Sequence, residues 1–160
     1  MSIDGHKEIE IHEPALPGFT VQVVRFAPSR ECGLRQSVST VPALRFLLAP
    51  YRDHERLIVY LDRDGGDSGS VWVHRSGDRN WVTHFVEPGG VDSYCRDPTY
   101  CGPDQMFGFL LSNGQLDDIH RHWTVSSVEG MRALEHFLLR GERDPGLSWV
   151  AEPQSLQEVI

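Results

Sequence analysis

The sequence predicts an α+β fold in which an antiparallel β-meander sheet of about six strands carries two main helices packed on it. Three observations lead to this prediction. Short β-branched or apolar runs alternate with turn residues, two longer stretches carry helical periodicity with end signals, and the chain has 160 residues, the size of a single domain. Its composition, 39% hydrophobic and 24% charged residues, is typical of a globular protein with a buried core.

Four segments before residue 87 predict strands. Residues 20–26 (TVQVVRF) are rich in β-branched side chains, and residues 57–61 (LIVYL) form the short unbroken apolar run of a buried central strand. Residues 71–74 (VWVH) and 81–86 (WVTHFV) predict two more, joined by a polar, glycine-containing connection. Strands separated by such short turns indicate an antiparallel meander.

Two segments predict helices. The first begins after Thr40 and ends near Pro50. The second begins with a capping box of Ser126 and Glu129, ends at Gly141, and contains Gly130, which weakens a helix by about 1 kcal/mol relative to alanine. The inward face of the first is predicted to hold Leu44, Leu47 and Leu48, and that of the second Val128, Met131, Leu134 and Leu138.

The region between the meander and the second helix has two parts. Residues 87–105 contain three prolines and three glycines without periodicity, which predicts a long surface loop of the kind that often carries function. Residues 107–119 then predict a hairpin, because Asn113-Gly114 suits the positive φ angles of a tight turn between two apolar segments.

The charge and the cysteines exclude several classes of function. The formal charge of −8 disfavours binding to phosphate backbones, which needs a cationic face. No apolar segment has the length of a signal sequence or a membrane span, so we expect a cytoplasmic protein without a membrane partner. The spacing of Cys32, Cys95 and Cys101 fits neither a disulfide framework nor a zinc or redox motif, and predicts three reduced thiols.

The stretch DRDGGDSGSVWV, residues 62–73, resembles two functional motifs. Its GDSG surrounds Ser68 as in trypsin-like proteases, but the 67 residues before it leave no room for the first barrel of that fold. Its D-x-D-G-x-D resembles a calcium loop, but Asp67 and Val73 stand where glycine and glutamate are needed. We therefore interpret the stretch as a glycine-rich turn.

Histidines offer the other candidate chemistry. His120 and His122 are two residues apart and would share one side of a strand, but a third metal ligand from His74 or His84 has to be assumed. Surface histidines are commoner than metal sites, so we expect no metal, no cofactor and no catalytic residue. A small hydrolase using Ser68 or a histidine-based metal site remains the alternative.

Acidic and tyrosine side chains are concentrated in the predicted turns and loops. Exposed aromatic rings supply contact area and carboxylates steer encounter with a basic partner, so this set predicts an interface for a basic protein. A solvated loop face with incidental tyrosines is the other interpretation. The candidate binding residues are Asp62, Asp64, Asp67, Glu87, Asp92, Tyr94, Asp97, Tyr100 and Asp104.

The last third of the chain carries a family pattern. After a hairpin come T-V, A-L-x-x-F-L, G-x-R and L-x-W, represented here by Thr124, Val125, Ala133, Leu134, Phe137, Leu138, Gly141, Arg143, Leu147 and Trp149. With these residues the segment resembles the closing part of the first-numbered Imm family, immunity proteins of bacterial polymorphic toxin systems. Gly130 stands where that family often has alanine. The resemblance is strongest over residues 57–152, within a single domain spanning 1–160 whose residues 1–20 are expected to be flexible.

The resemblance implies a function. A member of this family would bind a cognate toxin, often a nuclease or nucleic-acid deaminase, and neutralise it in a 1:1 complex. Such toxins act on polyanions and carry basic surfaces, which a protein of charge −8 would complement. The expectation is therefore a non-catalytic inhibitor that covers the toxin's active site with acidic loops and does not itself bind nucleic acid.

Overall fold

A computed structural model describes residues 18–26, 30–88 and 90–151. Its elements occur in this order: β1 (Phe19–Arg25), β2 (Glu31–Val38), α1 (Val41–Leu48), β3 (Arg56–Arg63), β4 (Ser70–Ser76), β5 (Arg79–Glu87), β6 (Gly90–Arg96), β7 (Met106–Leu110), β8 (Leu116–His120), β9 (Val125–Ser126), α2 (Ser127–Arg140) and β10 (Ser148–Ala151). The flexibility expected for residues 1–20 concerns a segment that lies outside the described residues, except for its last three.

The described strands form two antiparallel sheets. The larger one has eight strands in the order β10-β6-β5-β4-β3-β1-β2, with the short β9 paired to β5. The smaller one is the hairpin of β7 and β8. The α+β class and the meander, which is β3 to β6, are confirmed, whereas the large sheet contains more strands than the six that the sequence predicted.

Both helices pack on one face of the large sheet. Strand alternation sends every second side chain of β1, β3, β4 and β5 to this face, where they meet the apolar side of α2. The buried residues of this main core are Val21, Val23, Val38, Leu44, Leu57, Val59, Leu61, Val71, Val73, Val82, Cys95, Val125, Ala133, Leu134, Phe137 and Leu138. The sequence segment 57–61 is thus the buried central strand that its composition predicts.

The hairpin of β7 and β8 packs on the other face of the sheet. It contributes Phe109 and Ile119 to a second, smaller core with Tyr94 and Trp123. Its turn contains the positive φ angle of 84° at Gly114. The predicted hairpin is confirmed, and it covers part of a face that would otherwise be open to solvent.

The predicted helix ends are confirmed. The Thr40 side chain accepts a hydrogen bond from the Ala43 amide, and Ser126 and Glu129 form the reciprocal capping box of α2. Gly141 ends α2 with a φ of 68°. The predicted inward face of α2 was wrong at Val128, which is 78% exposed, because the helical turn places it on the side opposite buried Ala133 and Phe137. Within the described residues, neither helix is long and apolar enough to cross a membrane.

Close packing against the sheet explains why glycine occupies position 130 of α2. Gly130 is buried in α2 directly against Asn80 of β5, and a Cβ atom added here would lie 2.3 Å from the Asn80 Nδ2 atom. The helix therefore approaches the sheet more closely than any side chain would allow. This contact explains why a residue of low helix propensity stands in the middle of a helix.

The prediction of a continuous loop over residues 87–105 was wrong. Strand β6 lies within it and pairs with β5, with two irregularities in the register near Phe85. These irregularities interrupt the alternation of side chains on which strand recognition depends, and the inward position at Ser93 is polar. Two edge strands, β2 and β10, were also missed because they lack a continuous apolar stripe.

All three cysteines are free, as their spacing predicts. Cys32 and Cys101 are exposed, whereas Cys95 is 1% exposed within the main core. Burial raises the pKa of the Cys95 thiol to about 12, so this side chain is uncharged and packs as a small apolar group.

Candidate functional site

The nine predicted binding residues do not form one patch. Four of them lie at one end of the large sheet: Asp62, Asp64 and Asp67 at the β3–β4 turn, and Glu87 at the end of β5. Three lie at the other end, beyond β6: Asp97, Tyr100 and Asp104. The remaining two, Asp92 and Tyr94, lie on β6, which separates the two groups by about 20 Å.

The β3–β4 turn is the glycine-rich turn that the sequence predicts. Gly65, Gly66 and Gly69 have φ angles of 68°, 96° and 102°. Asp64 closes the turn: its carboxylate accepts hydrogen bonds from the Gly18 amide at 3.0 Å and from the Ser68 hydroxyl at 2.8 Å. The Ser68 hydroxyl therefore donates to a carboxylate, whereas a serine nucleophile needs a base such as histidine as its partner.

Asp62 lies on the face of the sheet that carries the hairpin. Its Oδ1 atom accepts hydrogen bonds from the Ser70 hydroxyl at 2.5 Å and from the Trp72 indole at 3.3 Å. These bonds fix one carboxylate at the edge of a group of aromatic side chains. Asp64, Asp67 and Glu87 extend the acidic end of the sheet and are exposed.

The two predicted residues on β6 are not exposed loop residues, which corrects the sequence interpretation. Tyr94 is 6% exposed and packs in the second core near Trp81 and Trp123. Its ring is therefore part of the fold, and a partner could reach it only through the cleft described below.

Asp92 is held by three side chains. Its Oδ2 atom lies 3.0 Å from His84 Nδ1, 3.0 Å from the Ser93 hydroxyl and 3.0 Å from Arg143 Nη1. Desolvation, the largest single influence, raises the pKa of Asp92. The hydrogen bonds from His84 and Ser93, together with the charges of His84 and Arg143, outweigh it, so the pKa lies below the usual value for aspartate.

The group beyond β6 is an ordered loop. Asp97 accepts hydrogen bonds from the Thr99 side chain and amide, which lower its pKa, and the Tyr100 hydroxyl donates to the Pro103 carbonyl at 2.6 Å. The Arg121 guanidinium lies 4.4 Å from the centre of the Tyr100 ring, a cation–π contact. These two contacts hold the half-buried Tyr100 side chain in place.

Asp104 lies beside two histidines. Its Oδ1 atom is 2.6 Å from His120 Nδ1, and the rings of His120 and His122 stack with their centres 5.3 Å apart. The third ligand that the sequence led us to assume, His74 or His84, is not there: His74 stacks on Trp81, and His84 bonds Asp92.

The feature that sequence reasoning missed is an aromatic cleft between the sheet and the hairpin turn. It has a volume of about 230 Å³. In the register of the sheet, Tyr60, Trp72, Thr83 and Tyr94 lie side by side on four neighbouring strands. We call this the aromatic cleft; its walls are Tyr60, Trp72, His74, Trp81, Thr83, Phe85, Val91, Tyr94, Leu111 and Ser112.

The rings of the aromatic cleft contact one another closely. Tyr60 and Trp72 meet edge to face with their centres 4.8 Å apart, and Trp72 and Phe85 lie 4.3 Å apart. Tyr60, Trp72 and Trp81 are only half-buried. A signal was present in the sequence, because these residues recur at alternate positions of three successive strands, but the register that aligns them is a property of the fold.

His74 forms the buried end of the aromatic cleft. It is 6% exposed, and its Nδ1 atom makes no hydrogen bond within the part of the chain that the structure describes. Burial lowers its pKa to about 4, so the ring is neutral at pH 7. The cleft therefore contains a neutral imidazole in addition to the polar side chains of Thr83 and Ser112.

Searches of protein-family models and of curated proteins returned no match to this chain.

Proposed function

We propose that this chain is a cytosolic immunity protein that binds and neutralises a cognate bacterial toxin, a nuclease or nucleic-acid deaminase, in a 1:1 complex. Three facts support the proposal: the resemblance of residues 57–152 to the first-numbered Imm family, the charge of −8, and the aromatic cleft beside an acidic end of the sheet. The protein acts by binding and performs no chemistry on the toxin.

The observation that carries the proposal is the adjacency of the aromatic cleft and the acidic turn. Protein interfaces have aromatic side chains at their centre and polar side chains at their rim, and the aromatic side chains contribute most of the affinity. Here half-buried Tyr60 and Trp72 form the centre, and Asp62 bonds directly to Trp72. A basic toxin surface would meet the carboxylates of this rim while an apolar side chain enters the cleft.

The proposal moves the interface from the loops to the sheet. Asp64, Asp67 and Glu87 form its acidic rim, and their exposed charges accelerate encounter with a basic partner. The second acidic group, with Asp97 and Asp104, lies about 20 Å away and is in contact with neighbouring side chains of its own chain. We therefore assign affinity to the cleft and association rate to the acidic rim.

The experiment begins with purification of the protein together with the product of the neighbouring gene. That product is then assayed for nuclease or deaminase activity with and without the protein. We expect an equimolar complex in which the activity is lost. An absence of complex formation and of protection would contradict the proposal.

Two substitutions then locate the interface. The double reversal Asp67→Lys with Glu87→Lys is expected to weaken binding at least tenfold, mostly through the association rate and most strongly at low salt. The matched control is Asp53→Lys, an exposed aspartate in the turn before β3, at the opposite end of that strand. Equal effects of the two changes would contradict the acidic rim.

One further variant distinguishes this proposal from the alternative, in which the protein is a small hydrolase that uses Ser68. Ser68→Ala removes the hydroxyl and its bond to Asp64. A stoichiometric binder keeps its protective effect after this change, whereas an enzyme with a serine nucleophile loses it.

A further inference from the structure

Asp104, His120 and His122 form a cluster with the composition of a metal site. One ligand atom from each side chain lies within 4.8 Å of the others. Tetrahedral coordination with bonds of 2.0–2.2 Å needs ligand atoms about 3.4 Å apart, so small side-chain rotations would bring the three together. The His120–Asp104 pair, at 2.6 Å, is already closer than that.

The backbone holds each of the three ligands in place. His120 ends β8, and the single turn of 3-10 helix that follows, Arg121–Trp123, turns His122 back beside it. The Arg121 amide donates to the Gln105 carbonyl at 2.7 Å, which keeps Asp104 next to His120. A site with its ligands held in advance by hydrogen bonds loses little entropy when a metal binds.

Neighbouring residues also hold His122 in position. The Asp97 amide donates to the His122 carbonyl at 3.1 Å, and the buried Trp123 ring lies 5.6 Å from the His122 ring. Both histidines are half-buried, whereas the side chain of Asp104 is 65% exposed. A metal ion could therefore enter from the Asp104 side and retain a water molecule as its fourth ligand.

We propose that Asp104, His120 and His122 bind a divalent zinc-type ion, which ties the loop between β6 and β7 to the end of β8. The donor set selects the metal, because imidazole suits zinc and its transition-metal neighbours, whereas calcium and magnesium take oxygen ligands. The two stacked imidazoles coordinate in their neutral form, and the Asp104 carboxylate supplies the negative charge. This inference replaces the sequence expectation of no metal, and it stands independently of the proposed toxin partner.

The test is a titration of the full chain, free of any polyhistidine tag and pretreated with a chelator, with Zn²⁺ by calorimetry. We expect one ion per chain and an affinity that decreases as the pH is lowered, because protons compete with the metal for its ligands. Co²⁺ serves as a second probe, because its visible absorption reports coordination by the protein directly. Absence of stoichiometric binding of either ion would overturn the proposal.

Substitutions test whether these side chains are the metal ligands. Asp104→Asn and His122→Gln are each expected to reduce Zn²⁺ affinity at least tenfold and to abolish the Co²⁺ absorption and the rise in Tm on Zn²⁺ addition. The matched control is His54→Gln, a half-buried histidine outside the cluster, which should behave as wild type. Asp104→Asn keeps the fold measurable because its side chain is mostly exposed. Binding that survives both cluster substitutions would contradict the assignment.

Discussion

The two faces of the large sheet differ in chemistry. The face under α1 and α2 is mostly aliphatic, and its valines and leucines are almost completely buried. The face beside the hairpin is aromatic, and there His74, Thr83 and Asp62 stand among rings that are only half-buried. Every central strand contributes to both faces, so strand alternation separates a stabilising surface from one suited to binding.

The difference shows how a small protein can combine a close-packed core with an open aromatic cleft. Close-packed aliphatic side chains hold the fold and cannot be changed without a large loss of free energy of unfolding. Half-buried aromatic side chains leave a cleft, keep polar atoms inside it, and retain apolar area for a partner to cover. Substitutions on the two faces should therefore have different effects on stability, and the following experiments measure that contrast.

The largest expected effect is on the aliphatic face. Val59→Asp places a charge at a position that is 3% exposed, and we expect a loss of at least 4 kcal/mol, on the order of the whole free energy of unfolding. Circular dichroism and chemical denaturation should show an unfolded or barely folded chain. The control Val128→Asp, at a 78% exposed valine, should change stability by less than about 0.5 kcal/mol. Similar losses for both would contradict the described core.

The next effect concerns His74 on the aromatic face. The folded protein keeps this ring neutral down to about pH 4, whereas the unfolded chain takes up a proton below about pH 6.5. The unfolded state therefore binds more protons between these values, and stability falls as the pH drops from 6.5 to 4, by about 3 kcal/mol from this residue. Urea denaturation from pH 4 to 7 should show a weaker dependence for His74→Phe than for wild type. An equal pH dependence of stability in the two proteins would contradict the burial of a neutral His74.

A smaller effect is expected where α2 meets the sheet. Gly130→Ala should gain about 1 kcal/mol in helix propensity but lose up to about 3 kcal/mol because the new methyl group collides with the Asn80 amide, for a net loss of up to about 2 kcal/mol. In an Asn80→Ala background the same change should be neutral or stabilising. Thermal unfolding of the four proteins gives the coupling between the two positions, and a coupling near zero would contradict the close approach.

The sequence predicted those parts of the fold that local signals determine. Capping residues located both helices, Asn113-Gly114 located the hairpin, and an apolar run located the central strand β3. Strand β6 was missed because its pairing with β5 is irregular, and a local pattern carries no information about a partner strand.

The candidate site was harder to predict because it depends on register. The acidic turn at 62–67 is local and was recognised, but the alignment of Tyr60, Trp72 and Tyr94 across neighbouring strands exists only after the sheet has formed. The same holds for Asp104, which the β7–β8 pairing brings to His120 from 16 residues away. The sequence offered His120 and His122 as possible ligands, with His74 or His84 as the third, and gave no indication that Asp104 lies beside them.

The smallest expected effect is a difference of about 1 kcal/mol between two aspartates that the sequence grouped together. The sequence treats both Asp92 and Asp97 as candidate binding residues, but the structure distinguishes them by their contacts. Asp92→Lys places a cation against Arg143 and removes the acceptor for His84 and Ser93, so we expect a loss of about 1–2 kcal/mol, reduced by partial solvent exposure. Asp97→Lys removes only the bonds from Thr99, at about 0.5 kcal/mol. Chemical denaturation of both variants at pH 7 decides this; a larger loss for Asp97→Lys would mean that the loop beyond β6, not the strand, is the more tightly held segment.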